Sequence, residues 1–378
     1  MPPTSRPFQL FVKPVGALCN LGCGYCYYLD KLALNQGNPS PMQEELLERY
    51  IVQLLEATTE DPVLFSWHGG EPTLAGVDFY RKAVELQKRH NTQNKSIING
   101  IQTNGILLND EWCRFLADEN FLVGISMDGP GELHNKYRVS KTGEATFERV
   151  LKSYYLLQKF RINTEILCVV NAFNVNHPLE VYNFFKTLGT KYISFLPLVN
   201  RDRNSQSGVT ADSVPAKAFG DFLVTIFEAW KENDIGIIQV QFFEEAFRTA
   251  FRQEHTLCIF KEVCGGVPVL EKKGDFYSCD HFVDREHRIG NIQETPLTEL
   301  LNDPVQIAFG AAKWTKLPQY CLHCEVLESC HGECPKNRFI QTPDGENGLN
   351  YLCEGYRKFF NHCTPFVNAL ADLAGTKE

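Results

Sequence analysis

The sequence predicts an α/β protein: a parallel sheet with crossover helices over residues 1–235, then a loop-rich, cysteine-dense remainder over 236–378 that ends in a helix. Two observations carry that reading. Short runs of β-branched and aromatic residues alternate with helix-period segments up to about residue 235. Nine of the fourteen cysteines crowd the stretch from Cys258 to Cys363. Alternating strands and helices imply parallel strands, which close a barrel or form an open doubly wound sheet; in both, ligands gather at the C-terminal ends of the strands.

Taken in order, the strand candidates are FQLFVKPV, VLFSW, SIINGIQT, FLVGISM, INTEILCVV and YISFLPL. The clearest helices between them are MQEELLERYIVQLLEA and VDFYRKAVELQKRH, with apolar residues at helical spacing. Polar signatures follow the strands: CNLGCGYC after the first, HGGEPTL after the second, NG after the third and DGP after the fourth. A long amphipathic helix over about 214–234 closes this region. Beyond it, Gly, Pro and Cys interrupt every long periodic run, so something besides an apolar core is needed to order the segment. Metal clusters would supply it.

Composition excludes several classes of function. A net charge of −9 and the absence of Lys/Arg-rich runs with interleaved aromatics argue against a nucleic-acid partner. No window reaches eighteen uninterrupted apolar residues, and the N-terminus MPPTSRPFQLFVKPVG lacks the charged and apolar regions of an export signal. The expectation is a soluble, cytoplasmic protein with no membrane partner. Fourteen cysteines in a reducing compartment read as metal ligands or catalytic thiols before disulfides.

Cys19, Cys23 and Cys26 form a CxxxCxxC triplet on the loop after the first strand. A zinc site would require a fourth ligand, for which His68 is a conceivable donor, and three buried structural thiols are a further reading. Three thiolates on a cubane instead leave one iron open to a substrate. The triplet, the aromatic beside its last cysteine and the GGEP element of Gly69, Gly70, Glu71 and Pro72 resemble the radical S-adenosylmethionine (SAM) superfamily. In that superfamily the open iron chelates the SAM amino and carboxylate groups. The resemblance implies a partial (β/α)6 radical SAM barrel with GGEP receiving the SAM amino group, where Glu71 accepts or orients. It also implies Tyr28 as an adenine contact, and Asn104, Ser126 and Arg138 as ribose and carboxylate contacts.

Cys264 and Cys279 flank Gly274 in a CxnGxxxxC pattern, followed by Cys321, Cys324, Cys330 and Cys334 as CxxCxxxxxCxxxC, and then Cys353. This resembles the SPASM extension, a C-terminal iron–sulfur domain. With Cys258 there are eight cysteines, enough for two fully ligated cubanes and three [4Fe-4S] clusters in all. The resemblance pairs Cys258, Cys264, Cys279 and Cys334 on one auxiliary cluster, and Cys321, Cys324, Cys330 and Cys353 on the other. Cys113, Cys168 and Cys363 are left as buried structural thiols. A zinc ribbon at Cys321 and Cys324 would leave the other cysteines unexplained.

Within the SPASM group the sequence is similar to the anaerobic sulfatase-maturating enzymes over nearly its whole length: VKPVGALCNLGCGYCYY, GGEPTLAG, QTNG, FLVGISMDGP, HN with Arg138, ILCVV, YSCDHF, GNI and the terminal cysteine array. The family oxidises a cysteine or serine of a sulfatase to Cα-formylglycine. The implied partners are an unfolded or nascent Cys/Ser-x-Pro-x-Arg segment and a reductant such as flavodoxin or ferredoxin. The resemblance makes Asp280, next to Cys279, the general base, with His281 the nearest alternative in sequence. A carboxylate beside an anionic cluster is expected to have a raised pKa, which suits proton acceptance. Rival readings are thioether formation or cross-linking of another peptide, oxidation of a small metabolite, and a simple iron–sulfur electron carrier. Only 18 residues precede Cys19, so no N-terminal leader-binding domain is expected, and a carrier would have no use for an open cluster or for GGEP.

Overall fold

Residues 7–28, 31 and 40–375 of the chain are described by a computed structural model. The N-terminal stretch read for an export signal lies in part outside them. Six strands fall on the predicted runs: β1 (Phe11–Lys13), β2 (Val63–Trp67), β3 (Ile97–Thr103), β4 (Leu122–Ser126), β5 (Thr164–Val170) and β6 (Tyr192–Pro197). Six more were not anticipated: β7 (Gln239–Val240), β8 (Val269–Glu271), β9 (Asp275–Tyr277), β10 (Arg288–Asn291) and the separate antiparallel pair β11 (Arg338–Gln341) and β12 (Asn347–Asn350). The two clear helices occupy Glu44–Ala57 and Val77–His90, and the long amphipathic helix spans Ala216–Asn233.

Two compact units result, and they do not follow a division at residue 235. The first runs to Ser126 and adds Arg138–Thr164 and Gly265–Gly310; the second holds Met127–Tyr137, Glu165–Cys264 and the chain from Ala311 onward. The reason is strand pairing. β8 lies parallel to β1, with Phe11 opposite Val269 and Lys13 opposite Glu271, so the segment after Gly265 returns to the first strand.

In the first unit the sheet order is β10-β9-β8-β1-β2-β3-β4, with β1 to β4 and β8 parallel, β9 antiparallel to β8, and β10 antiparallel to β9. The helix Glu44–Ala57 buries Leu47, Tyr50, Ile51 and Leu54, the i, i+3, i+4, i+7 stripe that its sequence prescribes. Tyr50 meets the edge of Trp67 from β2 with ring centres 5.7 Å apart, and Tyr80 from the next helix does so at 5.5 Å. The buried indole N–H of Trp67 donates to Asn99 Oδ1 at 2.9 Å, so the polar atom inside this core is satisfied.

The second unit holds β5, β6 and β7 as neighbouring parallel strands. Its helices Ala216–Asn233 and Cys353–Leu373 touch through glycines: a Cβ on Gly355 would lie 2.3 Å from the carbonyl oxygen of Ala216. The region after residue 235 is therefore less loop-rich than expected, since helices of 10 and 21 residues occupy Gln241–Ala250 and Cys353–Leu373. The C-terminal helix was expected; the helix Gln241–Ala250 was not, since its buried face is Phe242, Phe243, Glu245 and Ala246 and no long aliphatic periodicity announces it. Among the described residues no helix is long and apolar enough to cross a membrane.

Candidate active site

The CxxxCxxC loop leaves β1 and is seated on the GGEP turn by backbone contacts. Gly70 N–H donates to Gly16 O and Glu71 N–H to Leu18 O, each at 2.8 Å. A Cβ on Gly70 would lie 2.2 Å from Leu18 O and 2.6 Å from Ala17 O, so only glycine permits this approach. The Glu71 carboxylate is buried and accepts from Thr73 N–H (3.0 Å), Thr73 Oγ1 (2.6 Å), Thr103 Oγ1 (2.7 Å) and Asn104 N–H (2.7 Å). Burial pushes its pKa up against the pull of those donors. Glu71 thus ties the GGEP turn to the end of β3 and acts by orientation.

Asn104 reaches from β3 back to the triplet loop, its amide nitrogen 2.8 Å from Asn20 Oδ1 and 3.8 Å from Cys19 Sγ. The Arg138 guanidinium lies over the Tyr25 ring at 5.5 Å, and the neighbouring Val139 carbonyl accepts from Gly22 N–H at 2.9 Å. Ser126 accepts from Gln102 Nε2 at 3.1 Å at the end of β4. The three thiols are partly exposed. Cys19 is pushed up to about 11 by burial, then by Glu71 and by its neighbours Cys23 and Cys26. Thiols that oppose one another's ionisation in one loop are a donor set that a bound iron cluster would stabilise.

Asp280 follows β9 and returns to the end of β1. Its Oδ1 lies 2.6 Å from the buried Lys13 ammonium, and its Oδ2 accepts from Tyr27 O–H at 2.5 Å. Burial alone would raise the Asp280 pKa, but Lys13, His281 and the Tyr27 hydroxyl outweigh it and hold the carboxyl well below the usual range. The expectation of a raised pKa rested on an adjacent anionic cluster; among the protein's own groups the buried ammonium directly against the carboxylate dominates. Although the Tyr27 side chain is part exposed, enclosure of its hydroxyl end raises the phenol pKa, with Asp280, Cys26 and Cys279 next in effect. The His281 ring lies 5.3 Å from that of Tyr27. His68 stacks on Phe11 at 3.8 Å, and burial followed by Lys13 pushes its imidazole down to about 3.

In the second unit Cys258, Cys264, Cys321, Cys324, Cys330, Cys334 and Cys353 fall into two groups, while Cys279 belongs to the first unit. Cys321, Cys324, Cys330 and Cys353 line one small cavity with Leu327, Leu349 and Arg357. Burial raises the Cys353 thiol to about 12, with Cys321 and Cys324 next in effect, and raises Cys330 further still beside Cys353. The four thiols share one largely apolar cavity, a donor set whose ionised forms a bound iron cluster would stabilise together. In the other group Cys258 is pushed up to about 11 by burial and then by Cys264, and Lys313 is near Cys264, Cys258 and Cys334. Cys113, Cys168 and Cys363 are buried, as expected of structural thiols.

Residues 14–185 match the radical SAM superfamily, and residues 264–325 match SPASM, an iron–sulfur cluster-binding domain. A serine-type anaerobic sulfatase-maturating enzyme of Bacteroides thetaiotaomicron is 43% identical over 97% of this chain and 92% of its own length. A cysteine-type enzyme of that name from Clostridium perfringens is 33% identical over 95% of this chain and 97% of its own. This chain belongs to the anaerobic sulfatase-maturating enzyme family. The solved structure of native anSMEcpe with bound AdoMet and Cp18Cys peptide superposes with a TM-score of 0.88 at 32% identity, covering 97% of this chain and 100% of that one. The chain is accordingly a radical SAM oxidoreductase with a C-terminal SPASM domain, whose cofactors are [4Fe-4S] clusters and SAM.

In the structure one residue expected to touch SAM is enclosed in the core, and two residues not singled out in the sequence meet Asp280. Tyr28 is 2% exposed, packs with Ala17, Val269, Tyr277 and Val283, and gives its hydroxyl to Glu271. It is closed to an adenine. Tyr27, at 38% exposed, is the one of the pair that reaches Asp280. Lys13 was missed because a lone lysine at the end of a strand carries no local signal; its role depends on a carboxylate from the far end of the chain.

Proposed function

We propose that this maturase oxidises a cysteine or serine side chain, within a sulfatase segment of the form Cys/Ser-x-Pro-x-Arg, to Cα-formylglycine. The observation that carries the reading is Asp280, whose two carboxylate oxygens meet the Lys13 ammonium and the Tyr27 hydroxyl in the same unit as Cys19, Cys23 and Cys26. When bound at the open cluster, SAM supplies a 5′-deoxyadenosyl radical that removes one hydrogen atom from the substrate Cβ. The substrate must then lose the proton of its hydroxyl or thiol and one electron, a two-electron oxidation in total.

Asp280 is the acceptor of that proton. Lys13 on Oδ1 and Tyr27 on Oδ2 fix its direction and keep it ionised at neutral pH, which exchanges driving force for constant readiness. Asn104, Ser126 and Arg138 hold SAM beside the triplet, and Gly69, Gly70 and Glu71 shape the turn that receives its amino group. Cys258, Cys264, Cys279 and Cys334 hold one auxiliary cluster, and Cys321, Cys324, Cys330 and Cys353 the other. A one-electron protein of the flavodoxin or ferredoxin class supplies the initiating electron.

The test is to reduce the reconstituted enzyme anaerobically with SAM and a Ser-x-Pro-x-Arg or Cys-x-Pro-x-Arg peptide. The serine peptide should become lighter by two hydrogens, and the cysteine peptide should exchange the elements of hydrogen sulfide for one oxygen. Formation of 5′-deoxyadenosine with no aldehyde in either peptide would overturn the assignment.

A further inference from the structure

Two cations lie among the cysteines of the second unit. Lys313 is completely buried, and its ammonium donates to the carbonyl oxygens of Cys258 (3.0 Å), Ile259 (2.7 Å) and Lys261. Three acceptors match the three N–H donors of an ammonium, whereas a neutral amine has one fewer. Arg338 donates Nε–H to Gly332 O (2.8 Å), Nη1–H to Lys313 O (2.5 Å), and Nη2–H to His331 O (2.8 Å) and Glu333 O (3.0 Å). Every one of these acceptors is a neutral main-chain carbonyl.

All of these carbonyls except that of Lys313 belong to the cysteine-bearing loops. Residues 258–261 lead from Cys258 toward Cys264, and residues 331–333 join Cys330 to Cys334. Lys313 lies within electrostatic reach of Cys264, Cys258 and Cys334, and Arg338 within reach of Cys264, Cys321 and Cys330. Arg338 therefore stands where the two proposed ligand sets adjoin. The buried carboxyl Glu333 shares this space and accepts from the amides of Asn337 and Asn350.

Burying the Lys313 ammonium costs several kcal/mol unless an anion answers it, and the partly buried Arg338 guanidinium adds a smaller cost of the same kind. Eight thiolates and two cubanes supply that anion: each four-thiolate cluster is a dianion when oxidised and gains a further negative charge on reduction. We propose that Lys313 and Arg338 are the internal counter-charge of the auxiliary clusters and raise their reduction potentials. The inference rests on the cofactor content proposed above. An auxiliary cluster held by these cysteines would accept the one electron that the substrate loses after its proton and would pass it to a one-electron protein acceptor of the ferredoxin or flavodoxin class. A fixed positive charge favours the more negative, reduced form.

The test is a reductive titration of the reconstituted full chain, followed by electron paramagnetic resonance, with iron content measured alongside. Lys313→Met and Arg338→Met remove the charge, while Lys313→Arg and Arg338→Lys keep it. The neutral variants should shift an auxiliary midpoint to more negative potential by roughly tenfold in the reduction equilibrium, about 59 mV for one electron. The charge-keeping variants should stay near the parent value. Neutral variants that fail to take up iron while the charge-keeping pair takes it up would also support the proposal. Unchanged midpoints in iron-replete neutral variants, or equal disturbance by both kinds of variant, would overturn it and leave the cations as loop tethers. The readout does not depend on formylglycine: a parent enzyme without auxiliary clusters would sink the underlying reading, and shifted midpoints without peptide oxidation would sink only the substrate.

Discussion

Replacing Asp280 with asparagine nearly preserves its shape and removes its capacity to accept a proton. Formylglycine yield should fall by roughly 10² to 10⁴, the usual effect of losing a general base, while SAM cleavage falls much less. Parallel measurement of product by mass and of 5′-deoxyadenosine by chromatography checks this; equal collapse of both would make Asp280 a structural residue, and an unchanged yield would transfer the role to His281. Lys13→Met leaves the Asp280 carboxylate enclosed without its ammonium. Breaking a buried pair from one side costs about 3 to 5 kcal/mol, so thermal or denaturant unfolding should show a loss of that order. At this scale the sequence was partly legible. Asp280 is found through its adjacency to Cys279, but nothing local distinguishes Tyr27 from Tyr28, because their orientation depends on β8 and β9.

At the scale of elements, the GGEP turn and the triplet loop behave as one piece. Gly70→Ala would drive a Cβ to 2.2 Å from Leu18 O, and backbone cannot yield as a flexible side chain can. The variant should lose the cluster at Cys19, Cys23 and Cys26 while keeping the auxiliary pair, a fall of about one third in bound iron. Iron analysis with SAM-dependent spectral change reads this directly, and a fully loaded Gly70→Ala enzyme would refute the packing argument. The first six strands were legible because each is a short β-branched run bounded by turn residues. β8 and β9 were not: they are three-residue strands around the charged turn EKKGD, stabilised by pairing with β1 and not by a pattern of their own. That pairing brings Asp280 to Lys13, so the missed strands and the missed lysine have one cause.

For the whole molecule, iron content and folding should be coupled. Three four-iron clusters require about twelve iron atoms per chain after anaerobic reconstitution. Cys353→Ala should lower that number and destabilise the second unit, since metal binding energy there is also folding energy. A soluble, fully active variant would contradict the eight-ligand array. The cysteine spacing was legible because ligands only a few residues apart are a local property. The division into compact units was not, because it depends on a segment after Gly265 that rejoins the first strand.

The central claim is that the hydrogen atom is taken from Cβ of the target residue before Asp280 receives the proton. It is tested most directly with a peptide carrying deuterium at both Cβ positions of the cysteine or serine, incubated with the reduced enzyme and SAM. The account predicts one deuterium in 5′-deoxyadenosine and one retained on the formylglycine aldehyde carbon, with transfer persisting in Asp280→Asn. Aldehyde formed while 5′-deoxyadenosine remains free of deuterium would contradict it.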